Sequence, residues 1–277
     1  MTSPWFSRAK LFVPPILPAA VRRFRAQSAE AIRFTGDYQT WQAAQAASDG
    51  YDDAAILERV RSSTALARDG KVAFERDGVT FDEPDYNFPL LACLLRIASE
   101  NGNRLRVLDF GGALGSTYFQ CRSFFSGLTE LRWTVVEQPH FVACGQREFA
   151  DGRLLFAPEI DQREVDVVLL SSVMQYLPEP WTLLEKCRGT GAPWLLVDRT
   201  GLIESPRDVL SVQQVPAVIY GKATRYPAWL FSRLKWHANL AEHWNTVCEL
   251  PGRDGILPSD RGEVHFGFWL YHRKEGE

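Results

Sequence analysis

Residues 104–119 read R-L-R-V-L-D-F-G-G-A-L-G-S-T-Y-F and decide the fold of this chain. The apolar residues at the start of the stretch lie between Asn-Gly-Asn and Gly-Gly, which is typical of a short buried parallel strand ending at Asp109. Ser116 stands where the N-cap of a following helix is expected. Between them are three glycines, Gly111, Gly112 and Gly115. Such a glycine turn lets a ligand approach the backbone and presents N–H groups to an anion or a carboxylate.

Two nucleotide-binding patterns fit parts of this turn. The dinucleotide pattern G-x-G-x-x-G requires glycine where the chain has Phe110. The S-adenosylmethionine pattern D/E-x-G-x-G-x-G is met at Asp109, Gly111 and Gly115, and Ala113 replaces its middle glycine. An acid at the strand end can accept from the ammonium group of that ligand, whereas it repels a pyrophosphate. S-adenosylmethionine is therefore the predicted cofactor, and a dinucleotide site or a turn that binds no ligand is the alternative.

The composition limits the class of protein. The chain has 277 residues, 45% of them hydrophobic, which suffices for one large α/β domain or for a core domain with a cap. A formal net charge of -3 gives no overall attraction for nucleic acid, so no nucleic-acid partner is expected. Five widely spaced cysteines without a C-x-x-C pair argue against disulfides and zinc sites and favour a reduced cytoplasm. No carboxylate or histidine set has a metal-ligand spacing, so no required metal is expected.

Three regions are predicted along the chain. Residues 1–33 form a basic N-terminal segment, which is a poor match to a secretory signal because prolines interrupt its apolar residues. Two interpretations of this segment stay open: packing on its own domain, which we prefer, or weak contact with a membrane surface or a partner. Residues 34–101 are predicted to form a helical cap, and residues 102–277 the core, with an insert at about 199–241. The expected location is the cytoplasm, peripheral to the inner membrane if the basic segment binds lipid.

Beyond the glycine turn, apolar strands alternate with helices. The predicted strands are 131–137, 154–156, 165–170 and 194–197, followed by an antiparallel pair at 246–250 and 264–271. This order predicts a doubly wound, mostly parallel, seven-stranded Rossmann-like α/β sheet, which binds ligands beyond the carboxyl ends of its strands. Glu137 ends the second strand and is expected to accept the ribose hydroxyls of the cofactor, with Gln138 lining the adenosine pocket. A solvated acid at a strand end is the alternative.

A second group of motifs resembles a known family. From residue 167 the chain reads V-V-L-L-S-S-V-M-Q-Y-L-P-E-P, and similar stretches lead from the fourth strand to the fifth in class I methyltransferases. With F-x-G-D-Y-x-x-W, V-V-E-Q and Y-P-A-W-L-F-S, these motifs resemble a bacterial family of class I S-adenosylmethionine-dependent methyltransferases associated with surface-polysaccharide (O-antigen or capsule) biosynthesis clusters. The resemblance spans about residues 34–270. It implies methyl transfer to a glycan or glycan precursor, and it places Ser171 and Ser172 near the transferred methyl group.

The insert after the fifth predicted strand carries residues suited to an acceptor. Aromatic rings stack on sugar faces, and planar polar groups bond to sugar hydroxyls, although an unrelated surface lid is the alternative. The substrate-binding residues predicted on this basis are Arg199, Tyr220, Arg225 and Tyr226. Asp198, at the end of the fifth strand, is the predicted general base for an oxygen acceptor. Tyr176 and His265 are predicted to orient the acceptor or to transfer a proton.

Three functional hypotheses follow. The first is an O-methyltransferase that acts on a saccharide or a lipid-linked glycan. The second is a non-catalytic adenosylmethionine-binding scaffold in a glycan assembly complex. The third is a nicotinamide-dependent sugar oxidoreductase, which is opposed by Phe110 and by the absence of a Y-x-x-x-K pair at Tyr176. Binding of adenosylmethionine or of NAD distinguishes the third hypothesis from the others, and methyl transfer distinguishes the first two.

Overall fold

The computed structural model describes residues 32–48, 53–160, 164–217 and 223–275, with the side chains of 53–55 left aside. Nearly all of the predicted basic segment 1–33 and the predicted substrate residue Tyr220 lie outside these ranges.

The strands and helices are numbered in chain order. The strands are β1 Arg33–Thr35, β2 Phe74–Arg76, β3 Val79–Phe81, β4 Arg104–Phe110, β5 Glu130–Val136, β6 Leu154–Ala157, β7 Val167–Ser171, β8 Trp194–Ile203, β9 Val209–Val215, β10 Thr224–Ser232, β11 Trp244–Ser259 and β12 Gly262–Arg273. The α-helices are α1 Trp41–Ala46, α2 Asp53–Arg68, α3 Phe88–Glu100, α4 Ser116–Cys121, α5 Pro139–Glu148, α6 Pro180–Gly189 and α7 Arg233–His243. Short 3-10 helices span Arg122–Phe125 and Met174–Tyr176.

One half of the main sheet is the predicted doubly wound arrangement. Strands β6, β5, β4, β7 and β8 lie side by side in that order, and every neighbouring pair is parallel. The first of these strands in sequence, β4, lies in the middle, so the chain winds outward from it in both directions. The direction of winding changes between β4 and β7, which is where such sheets bind ligands.

The other half of the sheet closes into a barrel. β12 pairs antiparallel with β8, and β11, β1, β9 and β10 follow in order. β10 then pairs with β8 as well, so six strands form a ring that shares β8 with the parallel half. The expectation of a mostly parallel, seven-stranded sheet is therefore wrong in its second half: the sheet has ten strands and is mixed. The difference arises because β1 and the predicted insert form strands of the barrel.

Apolar cores lie on both faces of the parallel half and inside the barrel. The face covered by α2, α3, α4 and α5 is filled around Trp133 and Phe125, and the face covered by α6 and α7 is filled around Trp236. Inside the barrel, Phe34 from β1 packs with Phe266 from β12. Strand β7 is buried except at its last residue, Ser171, which lies at the carboxyl edge of the sheet. No helix in the described ranges has both the length and the apolar character needed to cross a membrane.

Candidate functional site

The glycine turn after β4 has the backbone conformation that its sequence predicts. Gly111 has a φ of +73° and its N–H donates to the carbonyl of Val136 at 2.9 Å, which ties the turn to β5. A Cβ at this position would lie 2.5 Å from Val173, so only glycine fits. Gly115 has a φ of +90° and is the residue from which α4 begins. Ser116 is therefore not the helix cap that the sequence predicted; its hydroxyl bonds to the carboxylate of Glu75.

Asp109 lies beneath this turn. Its side chain is 2% exposed, and its Oδ2 accepts the indole N–H of Trp133 at 2.9 Å. A Cβ on Gly112 would lie 2.5 Å from the same oxygen, so the turn rests directly on the carboxylate. Burial raises the pKa of Asp109 to about 7, with a further contribution from the charge of Glu137 and an opposing one from Trp133. Asp109 supports the turn from below, which does not fit its expected contact with a ligand's ammonium group.

Glu137 lies at the outer end of β5, where the sequence predicted a ribose-binding acid. Its Oε2 accepts the backbone N–H of Gln138 at 2.8 Å. Burial raises its pKa, and hydrogen bonding by the amides of Gln138 and Ala113 opposes that rise. The Ala113 amide belongs to the glycine turn, so the acid and the turn meet at one edge of the sheet. Gln138 is exposed beside them and caps α5.

Ser171 and Asp198 come together at the ends of β7 and β8. The Ser171 hydroxyl donates to Asp198 Oδ2 at 3.2 Å, and the Asn87 amide donates to the same oxygen at 3.0 Å. Asp198 Oδ1 is shielded from solvent and has no hydrogen-bond partner among the described residues. Burial raises the pKa of Asp198, while the charge of Arg199 opposes this. The carboxylate is thus fixed through one oxygen and unsatisfied at the other.

The backbone beside this carboxylate is strained. Ser172 and Arg199 both have a φ of +55°, a region that costs non-glycine residues of order 1 kcal/mol. The Ser172 N–H donates to the carbonyl of Asp198 at 2.9 Å. Gln175 Nε2 donates to the carbonyl of Arg199 at 3.0 Å and lies 3.3 Å from the Ser172 hydroxyl. These bonds hold the loop after β7 against the end of β8.

A small pocket of about 50 Å3, partly open to solvent, lies at this edge and is called the sheet-edge pocket below. Of the predicted site residues, Ser171, Asp198 and Arg199 line it. Sequence reasoning missed the other lining residues, among them Glu75, Arg76, Asn87 and Arg253. Their local sequence carried no signal, because the fold brings them to the pocket from β2, the start of α3 and a bulge in β11. The glycine turn connects to the pocket through α4, whose first two residues also line it.

The remaining predicted residues lie away from the pocket. The hydroxyl of Tyr176 donates to Gln213 Oε1 at 2.9 Å, and its ring makes an edge contact with Tyr226. Burial raises the pKa of Tyr176 to about 12, which keeps the hydroxyl protonated. His265 lies on β12 with its Nε2 3.7 Å from a carboxylate oxygen of Glu263. Arg225 is exposed on β10. None of these four residues is part of the lining of the sheet-edge pocket.

Comparisons with known proteins give distant structural similarity. No family model matches the chain, and neither does any curated protein. A S-adenosylmethionine-bound amino pentose methyltransferase from Micromonospora echinaspora, involved in calicheamicin biosynthesis, is 15% identical with a TM-score of 0.41. The similarity covers 69% of this chain and 92% of that one.

Two further solved structures give similar values. The N-terminal domain of EvdMO1, solved with S-adenosylhomocysteine and D-fucose, is 13% identical with a TM-score of 0.43, over 81% of this chain and 98% of that one. The glycopeptide N-methyltransferase MtfA, complexed with S-adenosylhomocysteine, is 13% identical with a TM-score of 0.41, over 66% and 90%. Two of these three neighbours are named methyltransferases, and all three were solved with adenosylmethionine or adenosylhomocysteine. At such low identities and TM-scores, the assignment below rests on the geometry of the site itself.

Proposed function

We propose that the chain is an S-adenosylmethionine-dependent methyltransferase. The observation that carries the proposal is the meeting of the glycine turn and Glu137 at the point where the direction of winding changes. The backbone amides of Gln138 and of Ala113 in the turn bond to this acid. Two hydroxyls of a ribose are the neutral, paired donors that such a carboxylate binds. An acid at this position binds the ribose of nicotinamide cofactors as well, and the preference for adenosylmethionine comes from the turn, where Phe110 replaces the first glycine of the dinucleotide pattern.

The residues around the turn fit this cofactor. Glu137 and Gln138 would hold its ribose and adenine, the glycine turn would face its middle, and Ser171 and Ser172 would lie at its methionine end. Gly111 and Gly112 are positions where any side chain would collide with Val173 or Asp109, so this tight turn requires glycine at both. When bound, the cofactor supplies an electrophilic methyl group.

We assign Asp198 as the group that removes a proton from an acceptor hydroxyl. Its Oδ2 is held by Ser171 and Asn87, which leaves Oδ1 to receive the proton. A raised pKa makes the carboxylate a stronger base, and positioned bases of this kind contribute about 10²–10⁴-fold to rate. Since Oδ1 is shielded from solvent in this conformation, proton transfer requires the pocket wall to move when the acceptor enters.

The acceptor that we propose is a saccharide or lipid-linked glycan of a bacterial surface polysaccharide, methylated on oxygen. This part of the proposal rests on the sequence motifs that resemble polysaccharide-associated methyltransferases and on the polar wall of the sheet-edge pocket. The shielded Oδ1 of Asp198 favours a second candidate, a protein that binds the cofactor without turnover in a glycan assembly complex. A methyl-transfer assay on a glycan panel, read by mass spectrometry, distinguishes the two.

Cofactor binding is tested by isothermal titration with adenosylmethionine, adenosylhomocysteine and NAD. We expect the first two to bind and NAD not to bind. Glu137→Gln should weaken adenosylhomocysteine about 5- to 160-fold, because hydrogen bonds to a charged acid contribute roughly 1–3 kcal/mol. Glu185→Gln, on the exposed side of α6, is the matched control and should bind as the unmodified protein does. Equal affinity in Glu137→Gln, or tight binding of NAD, would refute the assignment of the cofactor site.

A location in the cytoplasm, with peripheral contact at the inner membrane through residues 1–33, also stays a proposal. Each Lys or Arg near an anionic membrane contributes about 1 kcal/mol, and salt weakens the attraction. Flotation with acidic liposomes, with and without residues 1–33, tests the contact. Equal recovery of the two proteins would leave only the packing role for this segment.

A further inference from the structure

Three arginines reach the sheet-edge pocket from separate elements. Arg76 lies at the end of β2, Arg199 follows Asp198 on β8, and Arg253 lies on the bulged part of β11. Their side chains are 28%, 18% and 23% exposed, respectively. Partial burial of three permanently charged groups around one pocket is unfavourable unless opposite charges lie nearby.

Two of the arginines have carboxylate partners of their own. Arg199 donates to Asp254 at 2.9 Å and to Asp77 at 3.0 Å. Arg253 is paired with the carboxylate of Asp85 and also donates to its backbone carbonyl at 3.2 Å. These pairs place both guanidinium groups in the pocket wall in a defined orientation.

Arg76 is different because it shares its partner. Its guanidinium reaches Asp85 at 3.7 Å, the carboxylate already taken by Arg253, and it makes no hydrogen bond within the described ranges. Instead, the guanidinium carbon lies 5.5 Å from the ring centre of Phe74 and 5.9 Å from that of Phe81. Burial lowers the pKa of Arg76, and so do the charges of the other two arginines, while the charges of Asp254 and Asp77 oppose this. The rings fix the side chain while its N–H donors stay unused.

The two acids that line the pocket, Glu75 and Asp198, make no hydrogen bond to Arg76 within the described ranges. Glu75 accepts from Thr64 at 3.1 Å and from the Gly78 amide at 3.2 Å, and burial raises its pKa. The carboxylate of Asp198 is bonded to Ser171 and Asn87. Both acids therefore have partners other than Arg76, and the N–H donors of Arg76 stay available for a ligand.

We propose that the sheet-edge pocket binds an oxyanion on the acceptor, held by Arg76 with Arg199 and Arg253 on either side. The acceptor class is then a sugar that carries a phosphate or a carboxylate, rather than a neutral sugar. Guanidinium groups bind both oxyanions through paired N–H donors, and a preoriented side chain loses little entropy in doing so. The inference rests on the proposed function for the identity of the acceptor, whereas the oxyanion site itself rests on the pocket.

The test uses the full chain saturated with adenosylhomocysteine. Inorganic phosphate, glucuronate and glucose are titrated calorimetrically into the unmodified protein and into Arg76→Gln. At least one of the two anions should bind to the unmodified protein, and Arg76→Gln should weaken that binding by about 10-fold or more. The affinity for glucose should be the same in the two proteins. Raising the salt concentration should weaken anion binding as well.

Two controls make the result specific. Arg96→Gln removes an exposed arginine that pairs with Glu100 on α3, and it should leave anion binding unchanged. Affinity for adenosylhomocysteine should be the same in Arg76→Gln and in the unmodified protein. A loss of adenosylhomocysteine affinity with unchanged anion binding would assign Arg76 to the cofactor's own carboxylate and overturn the inference, as would failure of both anions to bind.

The two proposals fail separately. If adenosylhomocysteine binds but neither anion does, the oxyanion inference is wrong and the cofactor assignment stands. If adenosylhomocysteine does not bind to the unmodified protein, the anion titrations are carried out without it, and Arg76-dependent phosphate binding would support the oxyanion site while the proposed function fails.

Discussion

Replacing Asp109 by Asn should make the protein more stable at neutral and alkaline pH. The carboxylate is 2% exposed, lies against Gly112 and bonds to the Trp133 indole. Burial raises its pKa from 3.8 to about 7. As the pH rises from about 4 to 7, the unfolded chain has lost this proton and the folded chain still holds it, so raising the pH favours unfolding. Asn keeps the shape and the acceptor for Trp133, but has no charge to bury.

The size of the effect follows from the pKa difference. One pKa unit corresponds to about 1.4 kcal/mol, so a fully ionised Asp109 costs the fold roughly 4 kcal/mol at most. Between pH 5 and pH 8, the part of this cost that develops is roughly 2.5 kcal/mol. The difference in free energy of unfolding between Asp109→Asn and the unmodified protein should therefore increase by that amount over this interval.

Urea unfolding without ligand, at half-unit steps from pH 5 to pH 8, measures this difference. Asp37→Asn is the matched control of opposite sign, since a hydrogen bond from Arg207 lowers the pKa of Asp37. That variant should be less stable than the unmodified protein, and by the same amount at every pH in this interval. A difference for Asp109→Asn that stays constant between pH 5 and pH 8 would show that Asp109 is ionised throughout and would refute the reasoning.

Three other variants test the turn, the base and the barrel. A Cβ on Gly112 would lie 2.5 Å from the carboxylate beneath it, so Gly112→Ala should lower the free energy of unfolding by about 1–3 kcal/mol and weaken the binding of adenosylhomocysteine. Urea unfolding and calorimetric titration measure the two effects. Gly127→Ala is the control, because open space surrounds Gly127 and neither quantity should change. Asp198→Asn should lower methyl transfer about 10²–10⁴-fold with little change in cofactor affinity. Tyr176→Phe removes one hydrogen bond in the barrel and should cost about 0.5–1.5 kcal/mol of stability without changing cofactor affinity.

The parallel half of the sheet could be predicted because each of its strands is a local apolar run. The predicted strands 131–137 and 154–156 correspond to β5 and β6 within one residue at each end. The strand-end acids Glu137 and Asp198 could be predicted for the same reason, since a parallel sheet brings the carboxyl ends of its strands to one edge. For these strands and acids, the local sequence pattern is enough to predict the position in the sheet.

The barrel was not predicted because its strands can be recognised only from the strands with which they pair, and not from an apolar run in the sequence. Residues 209–215 read V-L-S-V-Q-Q-V, and Gln213 points its amide to a buried tyrosine hydroxyl rather than to solvent. From the sequence alone, a polar residue that is hydrogen-bonded inside a barrel cannot be distinguished from one that is exposed on a surface lid. The same limit hid Arg76 and Arg253, which are separated by 177 positions in the chain and share one carboxylate partner.

β8 belongs to both halves of the sheet, and this places the candidate chemistry. Up to Asp198 the strand pairs in parallel with β7, and at Arg199 the φ of +55° and a register shift opposite Gly267 redirect it into the barrel. The redirected Arg199 then bonds to Asp77 of the β2–β3 hairpin and to Asp254 of the β11 bulge. The parallel half thus forms the edge suited to the cofactor, and the barrel with the hairpin adds the charged wall suited to the acceptor. Because the two walls diverge from β8, a substitution that disturbs the pairing of the barrel strands should weaken acceptor binding more than it weakens cofactor binding.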